Sequence, residues 1–495
     1  MHRSIIVSLA LLLSAQTFAT RTPAAATKAP YALFSPLQGE RAFNEMYELI
    51  KSAEDYVHIT IYSWSDGEID KAMLYALKNG VKVKIVLHPP LAKKARTIKK
   101  VLKLEAAGAE VKIAKQNMHE KFLLVDGKTL VNSSANLSSG AKTRYSEAFV
   151  FHQKYRSTTN SVNSLIKDFR HEFTVLWNSS KDMITSDEDN ADALNDYTKL
   201  TDEDVVINLP SENTDLCLYS SSMNFKVKEN RPSSSAYSLG KFISLGRVKV
   251  NGEQTWKVRD LLIKKIDAAK KTIELSLNHF NIRAVSDALI AAVKRGVDVR
   301  LNVDNQEYKS KPNNKEMTPQ FVQDWKSLEG NAKKTAPVRV KYYAHTPSPS
   351  RWLLNHHKYI LIDYTASGKG TTLLAGSYNI SRNAEHRQFD NMVMYGSTKY
   401  KAVFKGFKTE FDRLWSLNRD EDDQPKQEAL DTFLVPDKGA FYLHAKKAVA
   451  LTFKEVRALR RKVGQLAKGI FSNYKKSKDC LLYRPKTQTY LGCPK

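Results

Sequence analysis

An α/β protein of two duplicated lobes, each a mixed sheet flanked by helices, is the fold class predicted by three features of the sequence. The chain repeats itself along most of its length. Within each repeat, helical and strand periodicities alternate. Polar residues interrupt an apolar strand at the same places in both copies. At 495 residues the chain is long enough for each lobe to bury its own core.

The N-terminus, MHRSIIVSLALLLSAQTFAT, has a basic start, an apolar run and small residues near Ala19. This pattern is that of a secretory signal peptide over residues 1–19, and its apolar run is too short for a membrane anchor. It predicts export, to the periplasm or the exterior. No cysteine follows the run, so nothing points to a lipid-modified terminus.

The first lobe is expected over 28–180. Ile50–Trp64 aligns with Ile266–Phe280 in the second copy, and ALKNGVKVKIVLH aligns with AVKRGVDVRLNVD. Each block reads as a helix, then a β-branched strand, then a helix and a further strand. Gly80 and Gly296 occupy matching places where a helix ends, as a left-handed C-terminal residue requires. FRHEFTVLW and FKTEFDRLW then predict a matching closing helix in each copy.

Between the lobes, residues 181–204 are acidic and poor in aliphatics, as a solvated linker or exposed helix would be. The second lobe, 205–418, restarts with LCLYSS where the first has ALFSP, and carries one charged, Pro-bearing insertion after Asp304. A basic extension, 419–495, has no counterpart. From Phe441 onward it holds 14 Lys+Arg against 2 Asp+Glu, and part of it reads as an amphipathic helix whose charge run can equally be a solvated face.

With 42% hydrophobic residues, a mean hydropathy of −0.45 and no second long apolar run, the mature chain reads as soluble and globular. The net charge of +26 fits a polyanionic partner, nucleic acid or an anionic membrane surface. The three cysteines do not form a zinc pattern; Cys480 and Cys493 are close enough in sequence to bridge, leaving Cys217.

The chemistry is concentrated in MHEKFLLVDG (118–127) and HHKYILID (356–363). On a strand, residues two apart share a face, so His119 and Lys121 point one way, as do His356 and Lys358, while His357 points to the other. Both copies continue into a second polar cluster, Ser133–Asn136 and Gly376–Asn379, and from there an acid follows at equal spacing, Glu147 and Asp390. A lone histidine is usually structural; a recurring set is not explained that way.

These residues resemble the phospholipase D superfamily, whose signature is His-x-Lys-x4-Asp followed by Gly-Ser-x-Asn. Ser133 departs from it where glycine is usual, altering the expected backbone approach to phosphate, and Asp390 replaces the usual glutamate. The resemblance implies two phospholipase D-like lobes meeting at a pseudo-twofold active site, working without cofactor or metal. Lys121 and Lys358 would supply charge to a phosphodiester, and Ser134, Asn136, Ser377 and Asn379 hydrogen bonds. By analogy His119 is the nucleophile and His356 the acid/base. Glu147 and Asp390 are expected to orient the histidines, and Asp126 and Asp363 to hold the lobes together.

A metal site built from His119, His356, Glu147 and Asp390 is the competing reading, disfavoured because the adjacent lysines would repel a divalent ion. A noncatalytic polyanion binder is another, disfavoured by the intact paired motifs. The resemblance covers both phospholipid and nucleic-acid substrates, and phospholipid hydrolysis is preferred. The basic C-terminal segment could then contact an anionic membrane peripherally. No obligate protein partner is expected, since one chain supplies both halves; the protein is expected to be a monomer.

Overall fold

The computed structural model describes residues 29–114, 116–154, 160–178, 180–183, 215–228, 257–304, 354–417 and 419–420, the segments 241–244, 338–343, 481–484 and 489–492, and residues 321, 324 and 328. The expected signal peptide, nearly all of the linker, most of the insertion after Asp304, and Cys480 and Cys493 lie outside them, as does the basic extension apart from its short strand segments. Among the described residues no helix is long and apolar enough to cross a membrane.

The first lobe runs β1 (Tyr31–Ser35), α1 (Gly39–Lys51), β2 (Tyr56–Ile61), α2 (Glu68–Lys78), β3 (Lys82–Leu87), α3 (Ala95–Glu105), β4 (Glu110–Ile113), β5 (Asn117–Met118), β6 (Phe122–Val125), β7 (Thr129–Ser133), α4 (Ser139–Thr143), β8 (Glu147–Gln153), α5 (Asn160–Asn178) and β9 (Lys181–Asp182). The second runs β10 (Leu216–Ser220), β11 (Phe225–Lys228), β12 (Lys241–Ser244), α6 (Lys257–Ala268), β13 (Thr272–Leu277), α7 (Arg283–Lys294), β14 (Asp298–Asp304), β15 (Val338–Tyr343), β16 (Lys358–Ile362), β17 (Thr372–Gly376), α8 (Arg382–His386), β18 (Gln388–Phe389), β19 (Asn391–Tyr395), α9 (Lys401–Leu417) and β20 (Arg419–Asp420). A further hairpin pairs β21 (Leu481–Arg484) with β22 (Thr489–Gly492).

The duplication holds strand by strand. The first sheet has the order β1-β8-β7-β6-β2-β3-β4-β9 and the second β10-β19-β17-β16-β13-β14-β15-β20. In each, a central parallel run is continued by antiparallel hairpin strands, which makes the sheet mixed. Both sheets reach two residues past the expected lobe ends at 180 and 418, because β9 and β20 pair along β4 and β15 and cover those edges. Gly80 and Gly296 close α2 and α7 with φ of 83° and 91°, in the left-handed region.

Each lobe keeps an outer core under α1 and α2, or α6 and α7. The third core belongs to both. Phe169, Phe173 and Trp177 of α5 pack with Phe404, Phe407 and Phe411 of α9, and with apolar residues of both sheets. The closing helix of each lobe thus seals the other, which fixes the sheets in one mutual orientation.

Asp126 and Asp363 have a different structural role from the one expected. Asp126 accepts the backbone N–H groups of Glu54, Asp55 and Tyr56 at 2.9–3.0 Å, and Asp363 those of Lys270, Lys271 and Thr272 at 2.7–2.9 Å. Each therefore ties the turn after its own strand to the loop entering β2 or β13, within a lobe rather than between lobes. Both sit at positive φ, 54° and 49°, a conformation an aspartate tolerates because its short carboxylate bonds locally.

The residue between histidine and lysine turns into the shared core in both halves. His357 meets Glu410 at 3.1 Å, as its strand parity requires. In the first half Glu120 faces Glu172, and the Ser220 hydroxyl lies 3.1 Å from Glu120 and 2.7 Å from Glu172. Burial pushes the carboxyl groups of both Glu120 and Glu172 above their usual range, and Glu172 raises Glu120 further. A carboxyl held above its unfolded value contributes stability that is present at low pH and lost as pH rises through the folded value. Glu120→Gln, which is neutral at every pH, should therefore melt about 2–4 °C above the wild type at pH 8, a gain that shrinks towards pH 4.5 in thermal denaturation followed by circular dichroism.

Candidate active site

His119 lies just ahead of β6 rather than within a continuous strand, and Lys121 immediately precedes that strand. The reason is a contact that periodicity within one copy cannot reveal. β5 leaves the first sheet and pairs in parallel with β18 of the second lobe. The His119 N–H donates to the Phe389 carbonyl at 2.9 Å, and the His356 N–H donates to the Ser146 carbonyl at 3.0 Å. Each histidine backbone is thus held by the residue that precedes the other lobe's acid.

The side chains repeat the exchange. His119 Nδ1 lies 2.6 Å from Asp390 Oδ1, while His356 Nδ1 lies 2.9 Å from both Glu147 oxygens. The two acids expected to orient the histidines thus contact them across the lobe boundary. The shorter aspartate engages with one oxygen where the glutamate presents two. The imidazole centroids are 6.4 Å apart with their planes inclined by 73°, a gap of the size that one atom within about 3–3.5 Å of each reactive nitrogen would fill.

The lysines stand beside them. Lys121 Nζ donates to the His119 carbonyl at 2.5 Å and Lys358 Nζ to the His356 carbonyl at 2.6 Å, which fixes each ammonium against its own histidine. The side-chain oxygens of Asn136 and Asn379 are buried without a hydrogen-bond partner; an amide oxygen only accepts, so the groups of these residues that could serve an oxyanion are their NH₂ donors.

The serines are placed differently from expectation. Ser134 Oγ donates to Glu147 Oε2 at 2.7 Å and accepts the Ala148 N–H; Ser377 Oγ accepts the Asn391 N–H and helps to hold the Asp390 carboxyl down. Both hydroxyls are turned to the acids behind the histidines rather than to the position of a phosphate. The glycine departure also has another meaning. A Cβ at Gly376 would stand 2.2 Å from the Asn391 carbonyl oxygen, whereas Ser133 directs its hydroxyl to the Lys121 carbonyl at 3.1 Å. The constraint at this position is packing against the neighbouring strand.

Some residues of the site were not marked by the motifs. The Tyr62 ring meets His119 edge-on at 4.7 Å, Lys121 Nζ lies 5.1 Å above it, and His88 packs on its other side at 4.3 Å. The aligned positions of the second lobe are Asn278 and Asp304. Asn278 donates to the Asn355 carbonyl at 3.1 Å and Asp304 accepts the Asn355 N–H at 2.7 Å. The half around His119 is aromatic and the half around His356 polar. The aligned pairs Tyr62/Asn278 and His88/Asp304 at strand ends were the available signal, but they differ in type and so drew no notice.

Burial dominates the electrostatics. It lowers both imidazoles well below their usual value, with Lys121, Lys358 and His279 adding in the same direction. It lowers Lys121 to about 8 and Lys358 to about 7, against the pull of Glu147 and Asp390. It raises Glu147 to about 8 and Asp390 to about 7, against the lysines. Burial thus favours the neutral form of all six groups; with two neutral imidazoles, the two lysines and two acids leave no net charge on the site whether they are ionised or neutral in pairs. An incoming monoanion then unbalances the site by one charge, which a single imidazole removes by taking up a proton.

Among the described residues no group of three or more His, Cys, Asp or Glu side chains is arranged to hold a metal ion. Two facing imidazoles with a lysine held beside each make a site whose donors can meet a tetrahedral oxyanion.

The family described as Cardiolipin synthase, PLD-like domain, matches residues 46–177 and 262–415, one match in each lobe. Mitochondrial cardiolipin hydrolase of Danio rerio is 28% identical over 144 residues, 28% of this chain and 59% of that protein. Its Xenopus tropicalis namesake is 25% identical over 147 residues, 30% and 56% respectively. The alignment therefore spans little more than half the length of these relatives. Phosphatidylserine synthase of Haemophilus influenzae Rd KW20 superposes with a TM-score of 0.53 at 11% identity, over 79% of this chain and 89% of that one, a likeness of fold.

As pH rises, Lys358 and Lys121, lowered to about 7 and about 8, lose their positive charge, and Asp390 and Glu147, raised to about 7 and about 8, gain negative charge, so anion affinity should fall in the same direction. Sulfate, which does not titrate in this range, should bind at least about tenfold more weakly at pH 9 than at pH 6. Calorimetry in buffers of different ionisation enthalpy should show proton uptake of about one at pH 7.

Proposed function

Since the chain belongs to the PLD-like family whose matched domain is described under cardiolipin synthase, we propose that it is a phosphodiesterase that hydrolyses phospholipid phosphodiester bonds through a covalent phosphohistidine, without metal. The observation that carries the reading is the facing pair of imidazoles, each held through Nδ1 by the opposite lobe's acid.

The diester places its nonbridging oxygens between Lys121 and Lys358, with the carboxamides of Asn136 and Asn379 completing the cradle. His119 is neutral, its Nδ1 proton is given to Asp390 as a hydrogen bond, and its Nε2 lone pair attacks phosphorus. The N–P bond forms as the bond to the leaving oxygen breaks, and that oxygen takes the proton of the His356 imidazolium. His356, now neutral, removes a proton from water. The resulting hydroxide displaces His119 from phosphorus, a phosphomonoester departs, and both imidazoles return to their starting states.

The division of roles rests on surroundings. His119 lies against the Tyr62 ring, which offers no charge to hold a proton on Nε2. His356 has both oxygens of Glu147 on its Nδ1, which favours an imidazolium. Two groups of the same kind are thereby set to opposite tasks.

Full chain incubated with bis(p-nitrophenyl) phosphate in the presence of EDTA should release p-nitrophenol, and His119→Ala should lower kcat by about 10³-fold or more. Loss of turnover with EDTA, restored by zinc, would overturn the metal-free scheme. Parallel incubations with mixed phospholipid vesicles and with plasmid DNA decide the substrate class, since released headgroup supports the lipid reading and nicked plasmid without headgroup release replaces it with nucleic-acid cleavage.

Ser134→Ala provides a finer check. Because the hydroxyl meets Glu147 rather than the cradle, kcat should fall about tenfold and its pH profile should shift while KM stays within about twofold.

A further inference from the structure

Helix α3 is apolar on two sides. Thr97, Val101 and Leu104 are buried against the lobe. Ile98 and Leu102, one turn apart on another face, are 36% and 51% exposed, and Ala95 and Ala106 are exposed along the same line. Among the described residues these two aliphatic chains stand out as exposed large hydrophobics, and that exposure costs solvation in water.

The charge around this stripe has one sign. Lys94, Arg96, Lys99 and Lys103 are exposed on its flanks, and no acidic residue occurs between Leu91 and Leu104. Lys100 is turned inward instead, to Asp70 at 2.7 Å and over the Trp64 ring. An aliphatic stripe with cationic borders is the pattern of an element that lies in the headgroup layer of a membrane. A nucleic-acid backbone would engage the lysines but offers nothing that takes up two aliphatic chains.

Position links the helix to the catalytic cleft. It follows the short turn that leaves β3, and the Lys94 charge bears on His88. His88 packs on Tyr62, whose ring meets His119.

We propose that the outward face of α3 is an interfacial docking surface for an anionic phospholipid bilayer, with Ile98 and Leu102 entering the acyl boundary and the flanking cations lying among the headgroup phosphates. The inference rests on the phosphodiesterase reading and narrows it to diesters presented at a lipid–water interface.

The test uses the full chain and vesicles of phosphatidylcholine with 30% phosphatidylglycerol, a fraction chosen as roughly that of a strongly anionic membrane. Leu102→Trp adds a fluorophore that brominated acyl chains should quench beyond the wild-type background. Ile98→Glu/Leu102→Glu should lower vesicle affinity about tenfold or more while leaving turnover of soluble bis(p-nitrophenyl) phosphate unchanged, which also shows that the variant is folded. An unquenched tryptophan, or wild-type vesicle binding by the double variant, overturns the proposal, since another part of the chain would then hold the membrane. Loss of plasmid binding with vesicle binding intact reassigns the face to nucleic acid. If the wild type fails to cleave the soluble diester, the phosphodiesterase reading falls, and the vesicle measurements still report on the face itself.

Discussion

Orientation of each histidine by the acid of the opposite lobe is the constraint to which the rest of the structure answers. A backbone bond and a side-chain bond cross the boundary in each direction, His119 to Phe389 and Asp390, His356 to Ser146 and Glu147. Neither lobe alone contains an oriented imidazole. The shared aromatic core beneath, with α5 and α9 between the two sheets, supplies the rigidity that bonds of 2.6–2.9 Å demand. Small displacements of one sheet against the other would be felt at both histidines at once.

Much of this was legible in the sequence. The repeat, the alternation of periods, the glycines closing α2 and α7, and the turning of His357 into the core follow from local rules that act within one copy. What was not legible depends on the second copy. Strand parity gives the face of His119 but not the detour of β5 to pair with β18. Spacing brings Glu147 and Asp390 into consideration without saying which histidine each one serves. The serines were misplaced because a hydroxyl near a phosphate site and a hydroxyl behind a carboxylate have the same spacing in sequence; only the packed geometry distinguishes them. Asp126 and Asp363 were read as ties between the lobes, whereas their partners are backbone N–H groups of a loop in the same lobe, which carry no signature in side-chain pattern.

The two halves keep their polar skeleton and differ around it. Aromatic Tyr62 and His88 border one histidine; Asn278, Asp304 and Asn355 border the other. A phosphodiester has two unlike alcohol components, and a strictly symmetric cleft would bind them in either order. On the proposed reading, unequal walls would give the substrate one preferred direction through the site and set two identical side chains to different proton-transfer steps.

The crossed acids also bear on ancestry. Interactions that always run from one copy to the other are those a pair of identical single-lobe chains would make about a rotation axis, so joining the genes end to end would have required no rebuilding of the centre. Once joined, the copies could drift separately, but a change in one acid falls on the histidine of its twin. Glutamate in the first copy and aspartate in the second therefore each bear on the histidine of the other half.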